Sequence, residues 1–196
     1  MAHRGWAWLL WALLAWVAAC PPSFAEANDG EVVDLRVEKS DTGLYLSVGV
    51  PFELPAAMED ALYKGIAMHF TAEVEVLRER WYWYDKPVAS ASRNFRLSFQ
   101  PLTRRWRLQV VSEGPGLTLS QNFDTLPETL AALQRIARWR IADSADFDPG
   151  ARHNLAFVFR LDVGKLPRPF QIGTLGQKDW NLEVRRTQRL VVEPAR

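Results

Sequence analysis

The sequence predicts a mainly β fold, an antiparallel β-sandwich of immunoglobulin-like architecture with two short helices in its connections. Three observations lead to this prediction. Side chains at 66–76 alternate between apolar and polar, which is the period of a half-buried strand. About eight such runs follow one another along the chain, and most are joined by links of hairpin length. Two other stretches have the apolar spacing of short helices.

The alternation within residues 65–85 changes face after Leu77. Arg78 and Arg80 stand in the row that was apolar, and Trp81 and Trp83 appear in the row that was polar. A strand whose buried face changes partway needs a β-bulge or a sharp coil, the device by which one long strand serves both sheets of a sandwich. We therefore expect this strand to be the centre of the fold and to join its two layers.

The elements before the central strand are a hairpin and a helix. Alternating runs at 32–38 and 44–50 flank the turn cluster 40–43 and predict the hairpin. The side chains expected to face inward in its first strand are Val33, Leu35 and Val37. Residues 55–65 begin with Pro and end with Gly around an apolar stripe, which predicts the first helix.

After the central strand the chain predicts a polar loop at 89–92 and then a second hairpin. Its strands, 94–99 and 105–110, alternate on either side of a four-residue turn. A short strand at 117–120 follows the turn that ends at Gly116.

The second helix has the clearest start signal. Thr125 and Glu128 form a capping box ahead of an apolar stripe that continues to Ile136. Arg135 and Arg138 are expected at its C-terminus, where the helix dipole favours cations.

The remaining segments are a brief strand, an acidic turn, a long half-buried strand, an irregular segment and a last strand. In chain order they are 139–142, 143–150, 154–162, 164–179 and 180–185.

The first 25 residues predict a signal peptide. Arg4 supplies positive charge, residues 6–19 are an uninterrupted apolar run, and two prolines then end it. A membrane span is the alternative, but it needs about 20 apolar residues. We therefore predict a signal peptide at 1–25 and a single exported domain at 26–196.

Two processing sites compete at the end of this segment. Ser23 and Ala25 are small residues at the positions that an ordinary signal peptidase reads, and cleavage there gives a soluble periplasmic protein. Residues 17–20 resemble instead the lipobox of bacterial lipoproteins, in which Cys20 would carry a lipid that holds the protein on an envelope membrane. Membrane contact is expected only through the signal segment or this lipid.

Composition and motifs exclude several function classes. Removal of the signal peptide also removes Arg4, which leaves 24 − 1 = 23 basic residues against 23 acidic ones. This balance of charge argues against a nucleic-acid partner. The chain lacks nucleophile-elbow, phosphate-loop and dinucleotide motifs, so we expect neither an enzyme nor a cofactor. His69 and His153 stand alone in alternating strands, so no metal is expected. Calcium at the carboxylates of 143–150 is the alternative, although their spacing departs from the regular loop pattern.

Two groups of residues are candidates for binding. Arg80, Trp81 and Trp83 belong to the densest aromatic and basic cluster, which could form a stacking platform for a sugar or for a partner's side chains. The alternative is that the Trp pair fills the core. In the irregular loop 164–176, Pro167 and Phe170 either form an exposed anchor or cover the open end of the sandwich.

Several short motifs together resemble a Gram-negative bacterial family of unknown function, the exported "proline-rich signal peptide" proteins. They are Arg80-Trp81-Tyr82-Trp83, Leu102-Thr103, Arg160-Leu161-Asp162, the segment 166–172 and Trp180-Asn181-Leu182. The resemblance implies export and a sandwich-like domain, and it adds Arg160 to the candidate binding residues. Genes of this family are often neighbours of a nitrogen-regulation sensor histidine kinase, which implies an envelope partner.

We therefore expect a non-enzymatic interaction module of the cell envelope whose partner is a membrane or periplasmic protein, with the sensor kinase as one candidate. A carrier of a small lipid or sugar is the alternative, and it would need an apolar cavity inside the sandwich. A hydrolase is a further alternative.

Overall fold

The computed structural model describes residues 32–79, 86–112, 118–146, 150–174 and 180–194. Strands make up 57% of the described residues, which confirms a mainly β fold. The strands of the described residues are β1 (Val33–Ser40), β2 (Gly43–Gly49), β3 (Met68–Arg78), β4 (Lys86–Gln100), β5 (Arg105–Ser112), β6 (Thr118–Phe123), β7 (Arg135–Ala142), β8 (His153–Leu161), β9 (Glu183–Arg189) and β10 (Val192–Pro194). The helices are α1 (Ala56–Tyr63), α2 (Leu126–Leu133) and α3 (Arg168–Thr174), with 3-10 turns at Ser144–Asp146 and Val163–Lys165.

These strands form two sheets. The small sheet has the order β10-β1-β2-β7, and the large sheet has the order β6-β5-β4-β3-β8-β9. Neighbouring strands are antiparallel except β1 and β10, which run parallel. Both sheets contribute buried side chains to one hydrophobic core. The predicted antiparallel sheets are thus confirmed, and the immunoglobulin-like form of a sandwich stays a prediction.

Strand β3 lies inside the large sheet, between β4 and β8. The inward row predicted at 66–76 is buried from the first residue of β3 onward, at Met68, Phe70, Ala72, Val74 and Val76, whereas Ile66, before the strand, is half-buried. A register shift against β4 falls between Val76 and Leu77, close to where the sequence predicted a bulge. The predicted crossing between sheets does not occur within β3, because over its whole length it pairs only with β4 and β8. Trp81 and Trp83 lie outside the described residues.

Aromatic rings form the centre of the core. Phe70 and Phe159 are fully buried and stack with ring centroids 5.6 Å apart. Phe52, which precedes α1, packs on both of them at 5.9 and 5.6 Å. Such ring pairs add about 0.5–1.5 kcal/mol beyond the area they bury. From the small sheet, Leu44 and Leu46 of β2 are also fully buried in this core.

The inward row predicted for β1 is wrong at its start. Val33 is 40% exposed, whereas Val32 and Val37 are buried. The cause is a bulge: Asp34 has a φ of 51°, and the pairing of β1 with β2 shifts between Val33 and Arg36. An extra residue in one strand changes which side chains face inward.

The second helix starts as predicted but ends earlier. Thr125 Oγ1 accepts a hydrogen bond from Glu128 N at 3.4 Å, as an N-cap does. The helix stops at Leu133, so the prediction that Arg135 and Arg138 end it is wrong, and both belong to β7.

Two hydrogen bonds and a bulge explain this change. Gln134 Nε2 donates to Phe52 O at 2.6 Å, and Gln134 O accepts from Val50 N at 2.8 Å, which ties the chain to the preceding segment. In β7 the pairing shifts and Arg138 has a φ of 43°, so Ile136 and Trp139 are both buried. Their spacing of three residues imitates a helical stripe.

Two segments predicted to be irregular are ordered elements. Residues 89–92 belong to β4, not to a loop. Where an irregular segment was predicted from residue 164 onward, Val163–Lys165 form a 3-10 turn and Arg168–Thr174 form α3, a third helix. Phe170 N and Gln171 N donate to Pro167 O at 2.9 and 3.2 Å, so Pro167 is the N-cap residue just before this helix. No helix in the described part of the chain has the length and apolar character needed to cross a membrane.

The turn between β1 and β2 depends on Gly43. Its φ is 155°, and a Cβ at this position would lie 2.4 Å from the backbone oxygen of Ala142. Gly65 is a matched control, since its φ is 84° but a Cβ there would meet nothing within 4 Å. We expect Gly65→Ala to lower the free energy of unfolding by about 1–2 kcal/mol, the cost of backbone conformation alone. Gly43→Ala should lower it by on the order of 3 kcal/mol because an overlap with backbone is added.

Urea unfolding of the two variants measures this difference. Equal stability of Gly43→Ala and Gly65→Ala would contradict the close approach of Gly43 to β7.

Candidate functional site

The binding residues predicted from the sequence are spread over the molecule. Arg160 lies on the outward face of β8, where its Nη2 donates to Glu73 Oε1 at 2.6 Å. Pro167 is exposed just before α3. Phe170 is half-buried, and its ring centroid lies 6.0 Å from that of Trp180. Arg160 and Phe170 thus have separate neighbours. Arg80, Trp81, Trp83 and Cys20 lie outside the described residues.

A cleft of 540 Å³ lies between the two sheets, and we call it the inter-sheet cleft. One wall is the segment 89–93 of β4, in the large sheet, and the other is the segment 138–143, formed by β7 and the residue after it. Sequence patterns did not predict this site, because the polar residues at 89–92 indicated a loop.

The cleft exists because the inward side chains of β4 become small. Phe95 and Leu97 face the core and are buried. The next residues of the same row are Arg93, Ala91 and Ala89, which pair with the inward row of β3 at Ala72, Val74 and Val76. Two methyl groups and one long polar side chain cannot fill the space that large apolar side chains occupy further along the strand. The sheets therefore leave an opening at this end.

Both walls of the cleft are open strand edges within the described residues. Strand β5 pairs with β4 only from Arg93 to Gln100, so the described neighbour of residues 89–92 is β3 alone. Strand β7 is last in the small sheet and pairs with β2. Unpaired edges present backbone N–H and C=O groups that an added strand can use.

Arg93 is the polar residue at the base of this opening. Its Cζ lies 5.0 Å from the ring centroid of Trp139, which is 3% exposed. Its Nε is buried, and no acceptor in the described part of the chain reaches it. Burial lowers the pKa of the Arg93 guanidinium below its ordinary value, since the charged form loses hydration. An arginine side chain nevertheless keeps its charge in proteins.

The other charges of the cleft are paired. Arg140 Nη2 donates to Thr42 O at 2.9 Å and also to Asp143 Oδ1. Arg138 lies 3.7 Å from Glu38 and 5.3 Å from the ring of Tyr45. Arg93 is therefore the cation of this site that the described residues leave without a counter-charge.

A second groove, of 610 Å³, lies on the small sheet, where β1 and β7 both shift register against β2. Ser47 and Gly49 line it between Asp34, Arg36 and Arg135. Arg36 Nη2 lies 3.7 Å from Asp34 Oδ1, and both side chains are well exposed. Because water already solvates these charges, this groove offers less to a ligand than the inter-sheet cleft, which we take as the candidate site.

The metal alternatives find no support in the described residues. They contain no group of three or more His, Cys, Asp or Glu side chains that could hold a metal ion. In the acidic turn, Asp143 pairs with Arg140, and Asp148 lies outside the described residues.

His69 lies on the outward face of β3, opposite Arg96 of β4. Its backbone oxygen accepts from Asp162 N at 2.7 Å, and the carboxylate of Asp162 lies 3.0 Å from Lys165 Nζ. Burial lowers the pKa of His69 below its ordinary value of 6.5, and the charges of Arg96 and Lys165 lower it further while Asp162 opposes them. The folded protein therefore favours neutral His69.

This shift predicts how stability depends on pH. The unfolded chain binds the His69 proton at about pH 6.5, whereas the folded chain binds it at a lower pH. The stabilisation from neutral His69 is thus complete above about pH 6.5, the unfolded-state value. It falls as the pH drops from there toward the folded-state pKa, and it changes no further below the folded-state pKa. We expect His69→Gln to flatten this part of the profile in urea unfolding between about pH 5 and 7.5. An unchanged slope in the variant would refute the lowered pKa.

The chain matches the domain of unknown function DUF4390 over residues 27–190. No curated protein and no solved structure matches it. The match covers most of the 196 residues, and the chain therefore belongs to the DUF4390 family.

Proposed function

We propose that this chain is an exported, non-enzymatic interaction module of the cell envelope that binds a segment of a protein partner in the inter-sheet cleft. The observation that carries the proposal is the cleft itself, a space of 540 Å³ between two strand edges that have no partner strand among the described residues. An extended peptide can use such edges for backbone hydrogen bonds and the space between them for its side chains.

The strand order supports an immunoglobulin-like sandwich as the scaffold. In that fold one sheet contains strands A, B and E, and the other contains C, F and G, to which variable-type domains add C′ and C″. Here β1, β2 and β7 are neighbours in one sheet, as A, B and E are. In the other sheet the order β5-β4-β3-β8-β9 corresponds to C″-C′-C-F-G. Domains of this architecture commonly act in recognition.

The packed interior favours surface binding over a carrier function. A carrier of an apolar ligand needs a cavity inside the sandwich. The stacked rings of Phe52, Phe70 and Phe159 occupy the centre of the core instead. The inter-sheet cleft is lined mostly by Ser, Ala and Arg side chains, with Trp139, Ile141 and Asp143 among them, and this mixed lining suits a peptide better than a lipid.

The proposed location rests on the N-terminal sequence. Residues 1–25 have the charge and apolar run of a signal peptide, and the resemblance to exported proteins agrees with it. We propose release into the periplasm, with a lipid on Cys20 as the alternative. The partner is then a periplasmic protein or the exposed part of a membrane protein, and a sensor histidine kinase is the first candidate.

Filling the cleft should abolish partner binding. Ala91 faces inward on β4 and lines the cleft, whereas Ser98 lies on the outward face of the same strand. We expect a partner that is captured from envelope extracts by the mature domain to be captured equally by Ser98→Trp and lost with Ala91→Trp. Calorimetry with the purified partner should likewise show unchanged affinity for Ser98→Trp and no binding to Ala91→Trp. Circular dichroism tests whether both variants fold.

A partner that binds Ala91→Trp as well as the unmodified domain would disprove the use of this cleft. Capture of no protein by the mature domain would count against the interaction function itself.

Mass spectrometry of the protein purified from the producing cell tests the proposed export. Ordinary cleavage predicts a mature chain that begins at Glu26 and has the same mass in a Cys20→Ser variant. Lipidation predicts a chain that begins at a diacylated Cys20 and that the variant fails to produce. A chain that retains residues 1–25 in the cytoplasm would contradict export.

A further inference from the structure

We infer that the occupant of the inter-sheet cleft is an extended protein segment with one carboxylate, and that this carboxylate binds the guanidinium of Arg93. The inference rests on the proposed function and specifies the chemistry of its ligand. It follows from the charge, the burial and the shape of the cleft.

One negative group on the ligand would balance the charge of the cleft. Arg138 and Arg140 have acidic partners, Glu38 and Asp143, in the described structure. Arg93 has no described acceptor for its Nε and no described counter-charge. A segment with a single carboxylate would complete the site, whereas a segment with a cation would add a second positive charge to a half-buried position.

The position of Arg93 makes such a contact strong. Its Nε is withdrawn from water, so it has lost hydrogen bonds to solvent without replacing them. The Cζ atom of the guanidinium lies 5.0 Å from the ring centroid of Trp139, so the two side chains pack together. Arginine binds a carboxylate through two parallel hydrogen bonds, and a fixed guanidinium loses less freedom when they form. A point cation such as lysine cannot reproduce this pair of bonds.

The shape of the cleft requires an extended segment. The wall formed by residues 89–93 spans roughly 13 Å of strand, which matches four or five residues of an extended chain. Ala89 and Ala91 leave space for side chains of the incoming segment next to Arg93. A helix, whose diameter with side chains is about 10–12 Å, would meet only part of the two strand edges.

Selection from random decapeptides displayed on phage tests the inference without knowledge of the natural partner. The target is the mature domain, and only peptides whose binding is lost with Ala91→Trp are counted as cleft binders. We expect these peptides to share one Asp or Glu at a fixed position. Replacing this residue by Asn or Gln in a synthetic peptide should weaken binding at least tenfold.

Arg93→Gln and Arg93→Lys identify the contact. We expect Arg93→Gln to weaken binding of the acidic peptide at least tenfold. It should also abolish the difference in affinity between the acidic and amide peptides. Arg93→Lys should restore only a small part of the affinity. Arg96→Gln is the matched control on the outward face of β4, and it should change the affinity less than twofold.

Each outcome is informative. Cleft binders with no shared acidic residue would overturn the inference and leave the proposed function standing. A selection that yields no cleft binders would overturn both. If Arg93→Gln does not fold, the comparison of acidic and amide peptides on the unmodified domain still decides, because equal affinity would exclude a carboxylate contact.

Discussion

Strand β3 is paired on both sides over 70–78, and the arrangement of the large sheet follows from these pairs. Residues that lie opposite each other in neighbouring strands point to the same face of a sheet. The inward row of β3 therefore decides which residues of β4 and β8 face the core. It directs Phe95 and Phe159 inward, next to Phe70 and Ala72. The same register directs Ala91 and Arg93 inward, so the core and the inter-sheet cleft have one origin.

Sequence patterns predicted the fold where large apolar residues alternate without interruption. The inward rows of β3 and β8 follow the predicted period, and the first two helices begin near their predicted starts. Prediction failed at bulges, because one extra residue changes the face of every residue beyond it. Val33 was expected inside, and Ile136 was assigned to a helix. It also failed for residues 89–92, whose small side chains give little contrast between the two faces.

The candidate site could be predicted only in part. Ala89, Ala91 and Arg93 continue the alternation of Phe95 and Leu97, so their inward direction was within reach of the sequence. The contact of Arg93 with Trp139 could not be predicted from the sequence, because it joins two sheets across 46 residues (139 − 93) and no local pattern encodes it. Phe170 illustrates the reverse case: two prolines and a glycine near it indicated a loop, yet Arg168–Thr174 form a short helix there.

The parallel pair of β1 and β10 has a consequence for how the chain acquires its structure. Val37 lies opposite Val192, so these partners are separated by 155 positions (192 − 37). Contacts this distant in sequence raise the contact order, and they form only after most of the chain entropy has been lost. Strand β1 is synthesised early, but its outer edge is covered only after β10 has been synthesised. Truncation at the C-terminus would leave that edge open to other chains and favour aggregation over assembly.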